Sequence, residues 1–299
     1  MPRQHSFQFD IKMNQQVQAP VNDTQAVDSL LKTIRIPPRP SLLVDLQKEL
    51  NKDEPSAKGL AKIIANDVAL AASLLKLTNS SFFGLRLKAQ SVDHAVSLIG
   101  INQTGILMTG IIARQAITSS ASSMGKFWDF SSKRAQALSA MVRRLPVCSS
   151  DVAHTFGLFC DIGVPILLER FPDYADTWKK ANSEFDLPLT QIEDQHHITN
   201  HASIGSLMAR TWGLPEQVHT AILLHHDYRT LEDSSTEDAV RGLIALSALA
   251  EYAIQKYEGQ DIFPEWHKSG EMVCQYLGIS LHDAEDWCEE LQDLFNSAH

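Results

Sequence analysis

The stretch SLLVDLQKELNKDEPSAKGLAKIIANDVALAASLLKLT, residues 41–78, repeats its apolar residues mostly at intervals of three and four. This spacing places the apolar residues of each segment on one face of a helix, because an α-helix turns once in about 3.6 residues. The DEPSAKG segment breaks the pattern between the first helix and the second, and Asp67 is placed to cap a third. Three consecutive helices are therefore predicted here.

The helical period continues along the rest of the chain, and alternating runs typical of strands are essentially absent. Ser91 is placed to cap a fourth helix. The pattern predicts later helices over residues 135–145, 200–211, 215–226, 239–257 and 282–295. The sequence therefore predicts an all-α protein.

A change of composition marks the predicted boundary between two helical lobes. The segment SSASSMGK, residues 119–126, is rich in serine and interrupts the helical pattern. Residues 1–25 are Gln-rich and weakly patterned, which is typical of a tail or surface arm. The predicted organisation is an N-terminal tail or arm over residues 1–29, a first helical lobe over residues 30–120 and a second lobe with C-terminal helices over residues 121–299.

Composition and charge exclude several classes of protein. With 44% hydrophobic and 21% charged residues, the 299-residue chain is neither disordered nor collagenous. A net charge of −10 disfavours general nucleic-acid binding. The four cysteines form no CxxC pair and are expected to be free thiols in a reducing cytoplasm. The sequence has no run of 18 apolar residues, so neither a membrane-spanning helix nor binding to a membrane is expected. It also has no GxxxxGK[ST], strand-borne GxGxxG or GxSxG motif, so a nucleotide-phosphate loop and a serine hydrolase site are not expected.

Histidines and one carboxylate indicate where chemistry could take place. Seven of the 12 histidines lie within residues 154–226. Asp161 interrupts the apolar segment GLFCDIG, where a charge is costly unless it is paired or binds a cation. The adjacent His225 and His226 lie near a predicted helix end, where they could bind a metal or interact with the terminal carbonyls. Both interpretations stay open from the spacing alone.

Other polar residues in this half have structural interpretations. His201 begins a predicted helix behind the N-cap Asn200, where a core hydrogen-bonding role is common. Glu193 completes the capping-box pattern Thr190-x-x-Glu193, so its carboxylate is expected to cap a helix. Cys160 precedes a carboxylate instead of a cation, which disfavours a thiolate nucleophile. The exposed turn expected at residues 196–197 and the helical residue 219 are not favoured as ligands.

Seven motifs in one order resemble the HDOD domain, a bacterial signalling relative of HD-type phosphohydrolases. The first lobe of that domain is similar to IPPRP (residues 36–40), IIANDVALAASLLKLTNSSFFG (63–84) and QSVDHAVSLIG (90–100). Its HD-like part is similar to FWDFS (127–131), GLFCDIG (157–163), HASIGSLMARTWGLP (201–215) and AILLHHDY (221–228). The resemblance extends from about residue 30 to residue 255 and implies a two-lobed helical architecture with an HD-like second lobe.

The resemblance also implies which metal ligands are missing. Active HD relatives hold divalent ions with an early-helix His, a His-Asp doublet, later histidines and a final Asp. In this sequence Phe130 stands at about the position of the early His, Cys160 replaces the His of the doublet, and Ala248 stands near the position of the final Asp. A two-metal centre is therefore not expected.

Four residues match the family pattern, namely Asp161, His201, His225 and His226. The resemblance implies a reduced site that could bind one divalent ion, Zn, Fe, Mn or Mg, although no cofactor is required. We therefore expect a non-catalytic signal-transduction or scaffold protein that binds a signalling protein partner or a small nucleotide-like ligand. The first alternative is a metal-dependent phosphohydrolase, a phosphomonoesterase or phosphodiesterase, with a mononuclear site. The second is a purely structural helical protein whose histidines serve packing.

Overall fold

The computed structural model describes residues 39–80, 83, 87–117 and 124–297. Within these ranges the chain is helical and contains no strand, as predicted. The predicted arm at residues 1–29 and the core of the predicted lobe boundary, residues 118–123, lie outside the described residues. The division at about residue 120 stays a prediction.

The helices follow one another with short connections. In chain order they are α1 (Ser41–Leu50), α2 (Ala57–Ala65), α3 (Val68–Thr78), α4 (Val92–Ile99), α5 (Ile101–Ile117), α6 (Met124–Met141), α7 (Ser150–Phe159), α8 (Gly163–Arg170), α9 (Tyr174–Ala181), α10 (Leu189–His197), α11 (His201–Thr211), α12 (Glu216–Leu224), the 3₁₀ helix η1 (Tyr228–Leu231), α13 (Asp238–Tyr257), α14 (Pro264–Leu277) and α15 (Leu281–Ser297).

The predicted caps begin the helices as their sequence indicates. The side chain of Asp67 accepts a hydrogen bond from the backbone N–H of Leu70 at 2.9 Å, and Ser91 caps α4 in the same way. Asn200 accepts from the N–H of Ser203 at 2.8 Å and begins α11. These bonds satisfy N–H groups that a helix leaves unpaired at its start.

The second half of the chain is built around close contacts of α6, α7, α8 and α11. A Cβ added at Gly157 would lie 2.7 Å from the Cα of Ala135, so α7 can approach α6 only with glycine there. A Cβ added at Gly163 would clash with the backbone carbonyl of His201. This close approach places the segment that contains Asp161 beside the first turn of α11.

The stretch Ser150–Arg170, which spans α7 and α8, is apolar and long enough to cross a membrane by composition. In the fold, 67% of its most apolar window is buried against other helices. Phe159 in this stretch is fully buried, and its ring contacts Trp212 edge-on with centroids 6.1 Å apart. Burial of this kind is typical of a core helix.

His154 on α7 couples stability to pH. Its Nδ1 is enclosed without a hydrogen-bond partner among the described residues, and burial lowers the pKa of His154 to about 4 from 6.5. The folded state therefore binds fewer protons than the unfolded state, and His154 stabilises the fold above pH 6.5. That contribution is lost as the pH falls toward 4.

We predict that His154→Gln removes part of this pH dependence. The wild type should lose up to about 3 kcal/mol of unfolding free energy between pH 6.5 and 4 that the variant does not lose. Urea unfolding at each pH measures the difference. His282→Gln, at a side chain that is 86% exposed, is the matched control and should follow the wild type. Parallel curves for His154→Gln and wild type would contradict the assignment.

Ile198 ends α10 in a strained conformation. It has φ 60° and ψ 9°, the left-handed region, where a β-branched side chain crowds the backbone. Among the described residues it is the only non-glycine with positive φ, and it is 63% exposed. Little burial therefore offsets the strain at this position.

We predict that Ile198→Gly stabilises the protein by about 1 kcal/mol, because glycine adopts positive φ without steric cost. Thermal unfolding measures the change. The control is Ile262→Gly, since Ile262 is 60% exposed and lies outside the positive-φ region. Ile262→Gly should be neutral or destabilising. If both substitutions changed the stability equally, relief of backbone strain would not explain the effect of Ile198→Gly.

Candidate metal centre

Four side chains from three parts of the chain meet in the second half of the fold. Asp161 follows α7, His201 is the first residue of α11, and His225 and His226 directly follow α12. One ligand atom from each residue lies within 4.8 Å of the others. The Asp161 carboxylate is largely buried and the three imidazoles are buried. The structure thus brings together the four residues that match the family pattern.

The closest contacts join the outer nitrogen atoms of the imidazoles to one carboxylate oxygen. Nε2 of His225 lies 3.2 Å from Oδ1 of Asp161 and 3.2 Å from Nε2 of His201. Nε2 of His201 lies 3.6 Å from the same Oδ1. His226 completes the group, with ring centroids 4.1 Å from His225 and 5.0 Å from His201.

Each imidazole is held by its other nitrogen, Nδ1. All three partners are oxygen acceptors, so Nδ1 carries the hydrogen and Nε2 faces the centre. The partners are Oε2 of Glu193 for His201 at 2.7 Å, the carbonyl oxygen of Ile222 for His225 at 2.7 Å and Oε2 of Glu265 for His226 at 2.8 Å. Partners of this kind fix ring orientation and tautomer in metal-binding histidines.

The two glutamates are themselves fixed by tyrosines. The hydroxyl of Tyr174 donates to Glu193, and that of Tyr228 donates to Oε2 of Glu265 at 2.8 Å. Burial raises the pKa of both tyrosines well above its usual value, and the adjacent glutamate raises it further. Two Tyr–Glu–His relays therefore orient two of the three imidazoles.

The capping-box interpretation of Glu193 is wrong. Helix α10 begins behind Pro188 and has no side-chain cap, so Thr190 lies inside the helix. Glu193 is fully buried and accepts hydrogen bonds at Oε2 from the ring and the backbone N–H of His201. The Glu193 carboxylate therefore bonds to His201, a tertiary partner, and not to the start of α10 as the local pattern predicted.

Arg134 on α6 is a buried cation that the sequence interpretation missed. It is 1% exposed, and its guanidinium lies 2.7 Å from Oδ2 of Asp161 and 3.5 Å from Oε2 of Glu251. It also lies over the ring of Phe130, one turn away, at 5.0 Å. The sequence feature that could have indicated Arg134 is its position one helical turn after Phe130, which stands at the family's early-histidine position.

The charges of the centre are strongly coupled. Burial raises the pKa of Asp161, but Arg134 and then His225 outweigh it and hold this pKa well below its usual value. Burial and the neighbouring His225 lower the pKa of His226 to about 4, so His226 is neutral at pH 7. Burial lowers the pKa of His225, but Cys160 and Asp161 outweigh it and raise this pKa well above 6.5.

The remaining pocket candidates have different surroundings. Cys160 is fully buried, interacts with His225 and lies 3.8 Å from the hydroxyl of Ser247. Ala248 on α13 is buried and offers no ligand atom. One turn later, Glu251 supplies the carboxylate that contacts the Arg134 guanidinium. Burial raises the pKa of Glu251 to about 7, although Arg134 opposes the shift.

The histidines that the pattern did not favour lie outside the centre. His197 was expected to be exposed, but it is 4% exposed, because its Nε2 bonds Thr177 at 2.9 Å and its ring contacts Phe171. His196 is exposed, as predicted. Helix α10 turns one imidazole of this adjacent pair inward and the other toward solvent.

A cavity of about 470 Å³ borders the centre at Asp161 and His226. Phe130 lines it together with residues of α6, α8, α9 and α13. This volume falls within the range of small-molecule sites. Phe130 is therefore a wall of the cavity and supplies no ligand atom.

The donor set fits a divalent cation. Nε2 of His226 is buried and has no hydrogen-bond partner among the described residues, which is costly for a polar atom. Three imidazole nitrogens and one carboxylate oxygen suit zinc, iron and manganese. Asp161, His201, His225 and His226 would hold the ion, and their role as ligands stays a prediction.

We predict that Glu193→Gln destabilises the fold by about 2 to 4 kcal/mol, because an amide N–H₂ replaces one oxygen that buried donors require. Tyr174→Phe should cost about 1 kcal/mol, since it removes one hydrogen bond. Denaturant unfolding measures both. Glu271→Gln on an exposed position of α14 is the control and should be neutral. Wild-type stability of Glu193→Gln would rule out the relay.

Comparison with solved structures shows the fold. The "Putative phosphohydrolase" of Shewanella amazonensis SB2B superposes with a TM-score of 0.69 over 90% of this chain and 97% of its own, at 18% identity. The "Putative signal transduction protein" of Marinobacter aquaeolei VT8 superposes with a TM-score of 0.70 over 90% of this chain and 59% of its own, at 19% identity.

Sequence comparison shows the family. An uncharacterized protein of Treponema pallidum (strain Nichols) is 23% identical over 239 residues, which are 78% of this chain and 45% of that protein. The chain thus spans less than half the length of the curated relatives it matches. Residues 36–228 match the HDOD domain, which is related to the HD phosphohydrolases. The chain therefore belongs to the HDOD domain family.

Proposed function

We propose that this protein is a signal-transduction module that binds one divalent cation at Asp161, His201, His225 and His226 and does not hydrolyse phosphodiesters efficiently. The observation that carries the proposal is the arrangement of the three imidazoles. Each is held at Nδ1 by an acceptor, and its Nε2 faces the shared centre. Pairing with the buried Asp161 carboxylate explains the position of His225 but not those of His201 and His226, whose Nε2 atoms donate no hydrogen to it.

The position of Arg134 supports one ion instead of two. A two-metal centre has ions about 3.5–4 Å apart, which stabilise the attacking and leaving oxygens together. Here the second oxygen of Asp161 contacts the Arg134 guanidinium at 2.7 Å. A second dication beside this buried guanidinium would meet like-charge repulsion in a poorly screened environment. Phe130, Cys160 and Ala248 also lack the ligand groups of the active relatives.

A bound ion would supply Lewis-acid polarisation of a ligand oxygen. The residues around it would supply recognition: Arg134 brings a positive charge, and the adjacent cavity has room for a small molecule. We propose a signalling protein partner or a small nucleotide-like ligand as the input to this module. The net charge of −10 supports neither general nucleic-acid binding nor a membrane partner, and a cytoplasmic location is part of the proposal.

A mononuclear phosphohydrolase is the second candidate. The observation in its favour is Glu251, whose carboxyl is 14% exposed and lies beside the Arg134 guanidinium. Burial raises the pKa of Glu251 to about 7. A carboxyl with this pKa can exchange a proton at neutral pH, as a general acid requires. Among the solved relatives is a "Putative metal-dependent phosphohydrolase" of Shewanella amazonensis SB2B.

We predict that the purified protein binds one Mn²⁺ or Zn²⁺ per chain, measured by calorimetry and elemental analysis. The double variant His225→Gln/His226→Gln should lose at least about a hundredfold in affinity, because it removes two of four ligands. His196→Gln at the exposed neighbouring histidine is the control and should bind like the wild type. No metal binding, or equal binding by the double variant, would overturn the proposal.

The same metal-loaded protein distinguishes the two candidates. With added Mn²⁺, turnover of cyclic dinucleotides and of a phosphomonoester should stay far below about 1 per second, the lower end of ordinary enzymes. The phosphohydrolase would be favoured if the wild type turned over a substrate at about 1 per second or faster and if Glu251→Gln and His225→Gln/His226→Gln each lost that activity. The metal stoichiometry would then stand, and the non-catalytic assignment would fail.

A further inference from the structure

Lys268 on α14 joins the candidate centre to a surface loop. Its ammonium group pairs with Oε1 of Glu265 at 2.5 Å and donates to the backbone carbonyls of Leu187 at 2.9 Å and Glu184 at 3.1 Å. These acceptors use all three hydrogens of the ammonium group. Both carbonyls belong to the α9–α10 loop, residues 182–188, so one side chain holds this loop and a carboxylate of the centre together.

The same carboxylate holds one imidazole of the centre. Nδ1 of His226 donates to Oε2 of Glu265 at 2.8 Å, while Oε1 accepts from Lys268. Burial raises the pKa of Glu265, but His226 and then Lys268 outweigh it and hold this pKa well below its usual value. One ionised carboxylate therefore lies between a ring that faces the ion site and the ammonium group that holds the α9–α10 loop.

The α9–α10 loop also borders a second cavity that reaches the centre. This cavity measures about 610 Å³, and its lining includes Asp186 and Pro188 of the loop together with His226 and Lys268. It shares only His226 with the lining of the cavity at Phe130. Displacement of the loop would therefore change access to the centre from this second side.

The α9–α10 loop has few other strong contacts. Phe185 is 40% exposed, and its ring meets the exposed His267 edge-on with centroids 5.4 Å apart. Leu187 is partly buried against the small apolar cluster of α9 and α10. Charge-assisted hydrogen bonds are about twice as strong as neutral ones, so the two bonds from Lys268 are the principal tertiary support of the loop backbone.

A cation bound at His226 and the Lys268 ammonium group would both be attracted to the Glu265 carboxylate. The ion makes the Nδ1–H group a stronger donor to Oε2, and its two positive charges repel the ammonium group in a poorly screened environment. This change has the same sign whatever the sum of the other charges of the centre. The side chain of Lys268 is 12% exposed and can reach water when its attraction to Glu265 weakens. An ion at the centre therefore favours release of the loop.

We propose that Lys268 holds the α9–α10 loop in place when the centre is empty and releases it when a divalent cation binds. This inference rests on the proposed metal binding and adds the regulation of the same site. Coupling between two sites is reciprocal, so a partner that binds the released loop, with its exposed Phe185, tightens metal binding by the same factor. The loop is thus the output of the signal that the centre receives.

The test is limited proteolysis with a serine endopeptidase that cleaves after glutamate. The carbonyl of Glu184, which Lys268 holds, belongs to the bond that this protease cleaves. Saturating Mn²⁺ should speed cleavage between Glu184 and Phe185 at least about threefold, because proteolysis follows the population of the open loop. Cleavage after the exposed Glu237, in the loop before α13, is the internal control and should not respond. Unchanged or slower cleavage after Glu184 would overturn the proposal.

Lys268→Met tests the link between the loop and the centre. Cleavage after Glu184 should then be fast without Mn²⁺ and independent of it, and Mn²⁺ affinity should rise at least about threefold, because a like charge is removed. Lys268→Arg keeps the charge and should retain part of the Mn²⁺ dependence. Lys179→Met, at an exposed position of α9, is the matched control and should behave like the wild type. A Mn²⁺ response in Lys268→Met equal to that of the wild type, or a lower Mn²⁺ affinity, would overturn the proposal.

Calorimetry measures Mn²⁺ affinity first in every sample. Intact Mn²⁺ binding with cleavage after Glu184 that does not respond refutes this inference alone. Absence of Mn²⁺ binding by the wild type refutes the proposed metal site as well. The wild-type comparison needs no substitution, so the proposal stays testable if Lys268→Met fails to fold.

Discussion

A largely buried, ionised carboxylate is the constraint around which the second half of the molecule is organised. Transferring a carboxylate from water into a protein interior costs several kcal/mol unless partners replace its hydration. Asp161 has a partner on each oxygen, since the Arg134 guanidinium lies against Oδ2 and the His225 ring, whose raised pKa keeps a hydrogen on Nε2, lies 3.2 Å from Oδ1. Gly163 makes this assembly possible, because only glycine allows the Asp161 segment to pass so close to the backbone of His201.

The need for partners extends outward from Asp161 in a continuous network. Arg134 is itself buried and requires acceptors, and Glu251 provides one. The imidazoles require partners at Nδ1, which Glu193 and Glu265 provide for two of them, and each glutamate in turn accepts a tyrosine hydroxyl. Loss of one inner member leaves its neighbours unpaired, so the network is more sensitive to a single substitution than a packed apolar core of equal size.

Local sequence was sufficient to predict α1–α4, α11–α13, α15 and the caps of α3, α4 and α11, because those features depend on neighbours three and four residues apart. It did not predict α5, α7–α10 or α14, and it began α6 at residue 135 instead of 124. Asp161 could be recognised as a site residue, since a charge inside an apolar segment needs a partner somewhere in the fold. The identity of that partner, Arg134, could not be predicted, because 27 residues and a helix connection separate the two. Glu193 shows the converse case, in which a valid local pattern was overridden by a tertiary hydrogen bond with His201.

The energetics of the imidazoles bear on whether the centre is only a remnant. A buried nitrogen without a partner, such as Nε2 of His226, costs about 1–3 kcal/mol, and an apolar side chain of similar volume would avoid that cost. The adjacent His225 and His226 also differ in how they are held, one by a helix carbonyl and the other by a glutamate 39 residues away. Two unrelated supports therefore turn neighbouring rings toward one point, and this arrangement costs stability. Selection for binding explains such an arrangement, whereas packing alone does not.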